Sequence, residues 1–267
     1  SFGERRKILI IVGLFALLLL TIAIALVMGN YDIPVGDAYG VLLTHLNPAG
    51  DTDDLNNLYN TIVWEIRLPR ILLSVVVGIA LAVAGGVFQG CFRNPLVEPY
   101  ILGVSSGAAF GAALAIVFPA FLLSLQASAF VFATVAVFAS YLLARVRGET
   151  PIVTLILAGV IVGSIFSALV SILKYVAVDA ALREIVFWLM GGFYYASWKD
   201  VTTIVPIVMG CFFLLWYLSW KLNILSMGDE EARTLGVNPE RYKVIFIVVA
   251  TLITAISVSA VGIIAWV

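Results

Sequence analysis

Long charge-free runs, separated by short polar or proline-marked breaks, set the pattern of the chain. A helix needs about 20 apolar residues to cross the hydrocarbon core of a bilayer. The runs supply spans at 8–29, 71–92, 100–118, 126–145, 152–173, 201–220 and 244–264. The neutral run 100–144 would make one helix about twice the bilayer thickness, so it divides into two spans near Pro119. The expectation is an all-α, polytopic transmembrane helical bundle with seven spans in a single domain, residues 1–267. The first run, Ile8 to Met28, is too long for the apolar region of a signal peptide and reads as the first span.

Within this pattern the stretch 67–111 organises the rest. Arg67 and Arg70 open it, a charge-free run from Ile71 to Phe92 follows, and Arg93-Asn94-Pro95 breaks it before a second run begins at Tyr100. That second run carries Gly103, Gly107 and Gly111, four apart and so on one helix face. Gly86 with Gly90, and Gly159 with Gly163, repeat the spacing. In lipid, small residues let helix backbones approach closely. These glycines therefore pack helices within one bundle, or they line a pathway or a seam between subunits. Ser105 and Ser106 extend the small face and admit the same two readings.

Composition narrows the class. The chain has 267 residues, 63% of them hydrophobic and 12% charged. A soluble domain could not cover that much apolar surface. The two cysteines, Cys91 and Cys211, lie inside apolar runs, so no disulfide framework is implied. His45 is the one histidine, which removes histidine-based metal sites and catalytic triads. No G-x-x-x-x-G-K-[S/T] loop occurs, so the chain is not expected to hydrolyse ATP. The spans carry no pair of intramembrane carboxylates or buried cations of the kind proton-driven pumps use, so either energy comes from a partner or the protein moves nothing.

Charge sets the orientation. With the N-terminus inside, the inner segments hold Arg5, Arg6, Lys7, Arg93, Arg145, Arg147, Lys221, Arg233, Arg241 and Lys243. The outer segments hold Arg67, Arg70, Lys174, Arg183 and Lys199, together with Asp32, Asp37, Asp51, Asp53 and Asp54. A bias of ten basic residues against five places the N-terminus in the cytoplasm. The outer loop 30–66 has apolar residues enough for a short surface helix over 36–46. The outer segment 174–200 is aromatic, with Trp188, Tyr194, Tyr195 and Trp198 suited to a membrane–water interface. Arg67 and Arg70 lie three apart on the side that disfavours arginine. They either snorkel to headgroups or meet an external carboxylate, which a guanidinium fork recognises well.

The inner loop 221–243 carries helix punctuation. Ser226 or Asp229 can cap a short helix, with Asp229, Glu230 and Glu231 near its positive end. Gly236 suits the left-handed position that ends it, and Asn238 with Pro239 starts the next helix. Such a folded loop is a docking surface or a solvated connector.

These residues resemble the FecCD-type permeases of ABC importers, the iron-siderophore and vitamin B12 class. The resemblance rests on WEIRLPRIL at 64–72, GGVFQGCFRNPLVEPYILGVSSGAAFGA at 85–112, LILAGV at 155–160, LREIVFWLMGGF at 182–193 and GDEEARTLGV at 228–237, and it covers nearly the whole chain. It implies a homodimeric permease with about ten spans per subunit in a prokaryotic cell membrane. Two cytoplasmic ATPase subunits, which bind ATP and magnesium, and an extracytoplasmic substrate-binding protein are implied as partners. Arg67 and Arg70 match the residues that dock the binding protein. Ser226, Gly228, Asp229, Glu230, Glu231, Ala232, Arg233, Leu235 and Gly236 match the segment that couples to the ATPase. Asn94, Pro95 and Leu96 match the inner gate of the pathway. Substrates of the family are chelated metals, mainly ferric siderophores, with haem, cobalamin and oxyanions such as molybdate. No cofactor, resident metal, catalytic residue or nucleic-acid partner is implied for the chain itself. Family members read on past GIIAWV, 262–267, through about three further spans, so the sequence is expected to be truncated.

Two other readings compete. A seven-span receptor would place the N-terminus outside, against the charge bias. A membrane-embedded enzyme would need a nucleophile–base or metal-ligand constellation at membrane depth, and the spans offer none.

Overall fold

The computed structural model describes residues 2–46, 57–120, 123–145 and 150–264. Asp51, Asp53, Asp54 and Arg147, used above, and the last three residues of the stretch 262–267 lie outside the described residues. All regular structure among the described residues is helical: α1 Phe2–Val27, α2 Val35–Leu46, α3 Asn57–Asn60, a π-helical stretch Thr61–Arg67, α4 Leu68–Phe92, α5 Val104–Val117, α6 Leu125–Ala144, α7 Ile152–Val176, α8 Asp179–Met190, α9 Trp198–Leu225, α10 Asp229–Thr234 and α11 Pro239–Val261. Six helices among the described residues are long and apolar enough to cross a membrane, and α5 is a shorter apolar helix. The surface helix expected over 36–46 is α2, and the neutral run divides at Pro119 as expected.

The chain forms two compact units, Ser1–Val75 with Ala196–Val201, and Val76–Tyr195 with Thr202–Val267. In the first, Leu26, Ile33, Ala38, Val41 and Val63 make a small core, and Tyr39, Trp64, Leu68 and Ile71 pack against it. The π-helical stretch widens the winding just before Pro69, with the Leu68 amide donating to the Val63 carbonyl. Pro69 lies inside a helix that continues from the π-stretch into α4 and has no amide hydrogen to give; the Trp64 carbonyl accepts instead from Trp198 Nε1 at 3.0 Å.

The second unit is built around α5, whose residues Val104, Ser105, Gly107, Ala108, Ala109, Gly111, Ala112 and Ala113 are buried. It packs chiefly against α6 and α7. The contacts are backbone to backbone. A Cβ on Gly107 would run into the Phe132 carbonyl, and one on Gly111 into the Ser128 carbonyl. Phe110, Phe132 and Phe166 close the three-helix contact, with ring centroids 4.9 Å apart for Phe110–Phe132 and 5.6 Å for Phe110–Phe166. Ile116, Leu173 and Ile185 extend the core to α8.

The structure corrects the expected span 100–118. The helix starts at Val104 and has 14 residues, about 21 Å of rise, which is short of the hydrocarbon core. Residues 93–103 are irregular, and Gly103 has φ +83°, a left-handed conformation that glycine adopts without cost. Gly103 therefore precedes the helix that Gly107 and Gly111 belong to. Non-helical backbone at such a place must be buried in protein or face a cavity. Here it is packed on α7: a Cβ on Gly159 would strike the Ile101 carbonyl. Gly163 lies 3.6–3.7 Å, measured from such a Cβ, from Ser106 and Gly103, and Gly90 sits 3.1 Å from the Leu222 side chain. Gly86 differs, because a Cβ there meets nothing within 4 Å.

This contrast generates a test. Gly111→Leu or Gly159→Leu forces backbone apart, so each should lose stability by at least about 1–3 kcal/mol. The expected readout is lower membrane abundance and a lower apparent Tm in detergent, whereas Gly86→Ala leaves both unchanged.

Candidate functional site

Arg67 ends the π-helical stretch, and its side chain is only 8% exposed. Its Nη1 donates to the carbonyls of Leu26 and Val27 at 2.9 and 2.6 Å, and Nη2 to the Tyr31 carbonyl at 2.6 Å. The last carbonyls of a helix lack intrahelical donors and carry partial negative charge, which a cation at that end satisfies. Arg67 is thus the C-terminal cap of α1. Gly29 leaves room for it, since a Cβ there would be 2.5 Å from Nη2. Arg70, one turn on, is half-buried. The sequence pairs the two as one outward face; in the fold, Arg67 is committed to its own chain. The α1 carbonyls that claim it lie some 40 residues upstream, beyond what local spacing can indicate.

At the other end of α4, Arg93 has φ +52°, rare for a residue with a side chain, and the helix stops there. Asn94 Oδ1 accepts from the Leu96 amide at 3.0 Å, and the Val97 amide donates to the Asn94 carbonyl at 3.3 Å, folding Asn94-Pro95-Leu96 into a turn. Leu96 is 85% exposed. From this turn a cavity of about 510 Å³ opens between the irregular segment, α5 and α7. Leu96, Glu98, Tyr100 and Ile101 line it with Ser105, Ser106, Ser164, Ser167 and Val160, and with Gly103, Gly159 and Gly163. Ser167 Oγ donates to Ser106 Oγ at 3.3 Å. Ser140 on α6 supports the irregular segment by donating to the Leu102 carbonyl at 3.1 Å. The lining is hydroxyl, glycine backbone and aliphatic side chain, with Glu98 its one ionisable carboxylate and no basic residue. Among the described residues no three of His, Cys, Asp and Glu group to hold a metal ion. Ser164 and Ser167 were missed from sequence, although their spacing from Gly159 and Gly163 puts all four near one face of α7.

The short helix α10 follows the C-terminus of α9. Gly228, with φ +146°, is its N-cap residue, and no side chain caps it. Neither candidate cap is used: Ser226 Oγ donates to the Asn223 carbonyl at 2.7 Å, and Asp229 is engaged elsewhere. Its Oδ2 accepts from Lys243 Nζ at 2.6 Å, and its Oδ1 lies 3.4 Å from Arg93 Nη2. Lys243 also lies 3.5 Å from Glu240 Oε1, and Glu240 Oε2 accepts from the Thr150 amide at 3.2 Å. Ala232 is fully buried and fixes α10, while Glu230, Glu231, Arg233 and Leu235 are exposed. Gly236 has φ +75°, the left-handed helix stop read from sequence, and Asn238 Oδ1 accepts from the Arg241 amide at 3.1 Å to start α11. The turn 93–96 and α10 are brought together through Arg93 and Asp229. Arg67 and Arg70 belong to the other compact unit, where the π-helical stretch runs into α4.

An all-helical chain with six apolar helices of membrane-spanning length, an irregular segment sheltered beside a small-residue cavity, and a short helix with an exposed charged face has the build of a membrane permease. The chain belongs to the FecCD transport family, whose model matches residues 17–267. It is similar to the molybdate import system permease protein MolB of Haemophilus influenzae, 37% identical over 261 residues, 97% of this chain and 76% of that one. The cobalamin import system permease protein BtuC of Halobacterium salinarum is 43% identical over 208 residues, 77% of this chain and 56% of that protein. A solved structure assigned to the metal-chelate type of ABC transporter, in an inward-facing conformation, superposes with a TM-score of 0.81 at 36% identity, covering 97% of this chain and 77% of that one. The chain is a multi-pass permease subunit of an ABC importer.

The Arg67 cap can be tested directly. Arg67→Met leaves three carbonyls without their charged donor. The expected loss is on the order of 3 kcal/mol. It should be seen as faster amide exchange and proteolysis across residues 24–31, with α10 and α11 unaffected.

Proposed function

We propose that this permease imports a bulky metal chelate, a ferric siderophore in the first place, with cobalamin and haem as further members of the same chemical class. The cavity beside the Asn94-Pro95-Leu96 turn carries this reading. Its volume of about 510 Å³ suits a sizeable ligand, and its lining has no basic side chain. A small oxyanion such as molybdate is best held by cations or converging N–H donors, which the lining side chains lack. A chelate that hides its metal behind an organic shell needs only hydroxyls and apolar contact. In this reading the metal is cargo, and the chain holds none of its own.

The rest of the assembly follows the family. Two copies of the chain form the pathway, with the Arg93 end of α4 and the N-terminus in the cytoplasm of a prokaryotic cell. Two ATPase subunits, which bind ATP and magnesium, dock on the exposed face of α10 and its flanks. Asn94, Pro95 and Leu96 gate the cytoplasmic mouth. A substrate-binding protein docks where α4 begins, with its acidic residues directed to Arg70, while Arg67 serves the α1 carbonyls. Charge bias, the folded α10 with its exposed Glu230, Glu231 and Arg233, and membership of the family support this arrangement.

Uptake decides the substrate class. Cells depending on this transporter should accumulate a radioiron-labelled trihydroxamate siderophore and not labelled molybdate; the reverse result would overturn the chelate reading. Ala232→Pro, which breaks α10 at its buried anchor, should abolish uptake while the partner ATPase still hydrolyses ATP. Arg70→Glu should weaken capture of the binding protein by about tenfold or more at low salt, measured by surface binding to nanodisc-held transporter. Normal uptake by Ala232→Pro would remove α10 from coupling.

A further inference from the structure

The ionic cluster at the start of α10 joins two segments that the sequence treats separately, and its two bonds differ in kind. Asp229, the first residue of α10, divides its carboxylate between Lys243 of α11 and Arg93 at the end of α4. The Lys243 bond is 2.6 Å, and the lysine side chain is 8% exposed. A buried ammonium has no water to turn to, so removing its carboxylate leaves an uncompensated charge. This bond, with Glu240 behind it, anchors α10 to α11. The Arg93 bond is 3.4 Å between side chains 36% and 32% exposed. A longer, half-solvated pair is weaker and can open and close with small displacements. Arg93 is also the one described non-glycine residue with positive φ, and it immediately precedes the turn Asn94-Pro95-Leu96. Strain of this sort persists where surrounding contacts hold it.

We propose that Arg93 is a positioning residue that carries displacement of α10 to the turn 93–96, with Asp229 as the point of attachment and Lys243 joining α10 to the start of α11 so that the two move together. The inference rests on the coupling and gating reading above. When α10 moves with its partner ATPase, the Asp229 carboxylate moves with it. The Arg93 guanidinium follows or releases, and the turn that begins at Arg93 is pulled or freed. No other ion pair between α10 and the turn occurs among the described residues.

Two exposed leucines allow the inference and its premise to be read apart. Leu96 on the turn is 85% exposed and Leu235 after α10 is 57% exposed, while the native Cys91 and Cys211 are buried. Leu96→Cys and Leu235→Cys can each be labelled with a maleimide in the full transporter, permease with its ATPase subunits in nanodiscs, without nucleotide and with magnesium ATP plus vanadate. With Arg93 intact, nucleotide should change the labelling rate at both positions by about fivefold or more. In Arg93→Gln the change at Leu235 should persist, which shows a folded, coupled α10, while the change at Leu96 is lost. Arg93→Lys, which keeps the charge, should restore part of it. An undiminished Leu96 response in Arg93→Gln would overturn the inference and leave the coupling reading standing. No nucleotide response at Leu235 with Arg93 intact would overturn both.

Discussion

A backbone carbonyl or amide that loses its helical partner inside an apolar surrounding has no water to replace it, so the protein itself must supply the bond. That requirement accounts for the placement of Arg67 and Ser140. Arg67 supplies donors to Leu26, Val27 and Tyr31 where α1 ends. Ser140 reaches Leu102 where the backbone is irregular. At more exposed places the same pairing fixes chain direction: Asn94 holds the Leu96 amide at the turn, Asn238 holds that of Arg241, and Glu240 holds that of Thr150. Each polar side chain sits where a helix stops, starts or is interrupted.

The irregular segment 93–103 is where this requirement shapes the cavity. A continuous helix would leave no buried backbone polar group unpaired but would also leave no opening, because helices in contact pack at interior density. Unwinding the chain beside α7 creates space and, with it, bare carbonyls. Glycine resolves the conflict sterically: Gly159 and Gly163 admit the segment against α7, and Gly107 and Gly111 draw α6 onto α5 behind it. Serines then face the space that remains, so the cavity is wetted by hydroxyls on α5 and α7. The short α5 follows from the same compromise. A 14-residue helix cannot span alone, and its burial among α6, α7 and α8 removes the need.

Features governed by composition or by neighbours in sequence were legible before any coordinates. The apolar runs mark their helices, Pro119 marks a break, Gly236 ends α10, and Asn238-Pro239 starts α11. Features governed by distant partners were not. Nothing near Arg67 in sequence names Leu26 or Tyr31 as its acceptors. Asp229 has the composition of a helix-capping acid, yet Lys243, one α-helical stretch away, and Arg93, 136 residues away, claim it instead. The glycine spacing was legible but incomplete. Gly103, Gly107 and Gly111 fit one helix face only if the helix begins early enough, and the positive φ at Gly103 shows that it does not. Gly86 has the spacing of a packing residue without a neighbour to pack on.

Charge is accordingly divided between two tasks. Cations that close off backbone, such as Arg67, are buried and fixed, and their loss is felt as instability. Cations that link moving parts must stay partly hydrated, because a fully desolvated pair would hold one geometry too firmly to exchange it for another. Asp229 bears both kinds of bond, one to the buried Lys243 and one to the half-exposed Arg93. A single carboxylate thereby ties α10 firmly to α11 and more loosely to the end of α4. The cavity, by contrast, has one carboxylate and otherwise uncharged lining side chains. A cavity lined this way meets a ligand with hydroxyls and apolar contact rather than with charge, so it offers few strong electrostatic sites.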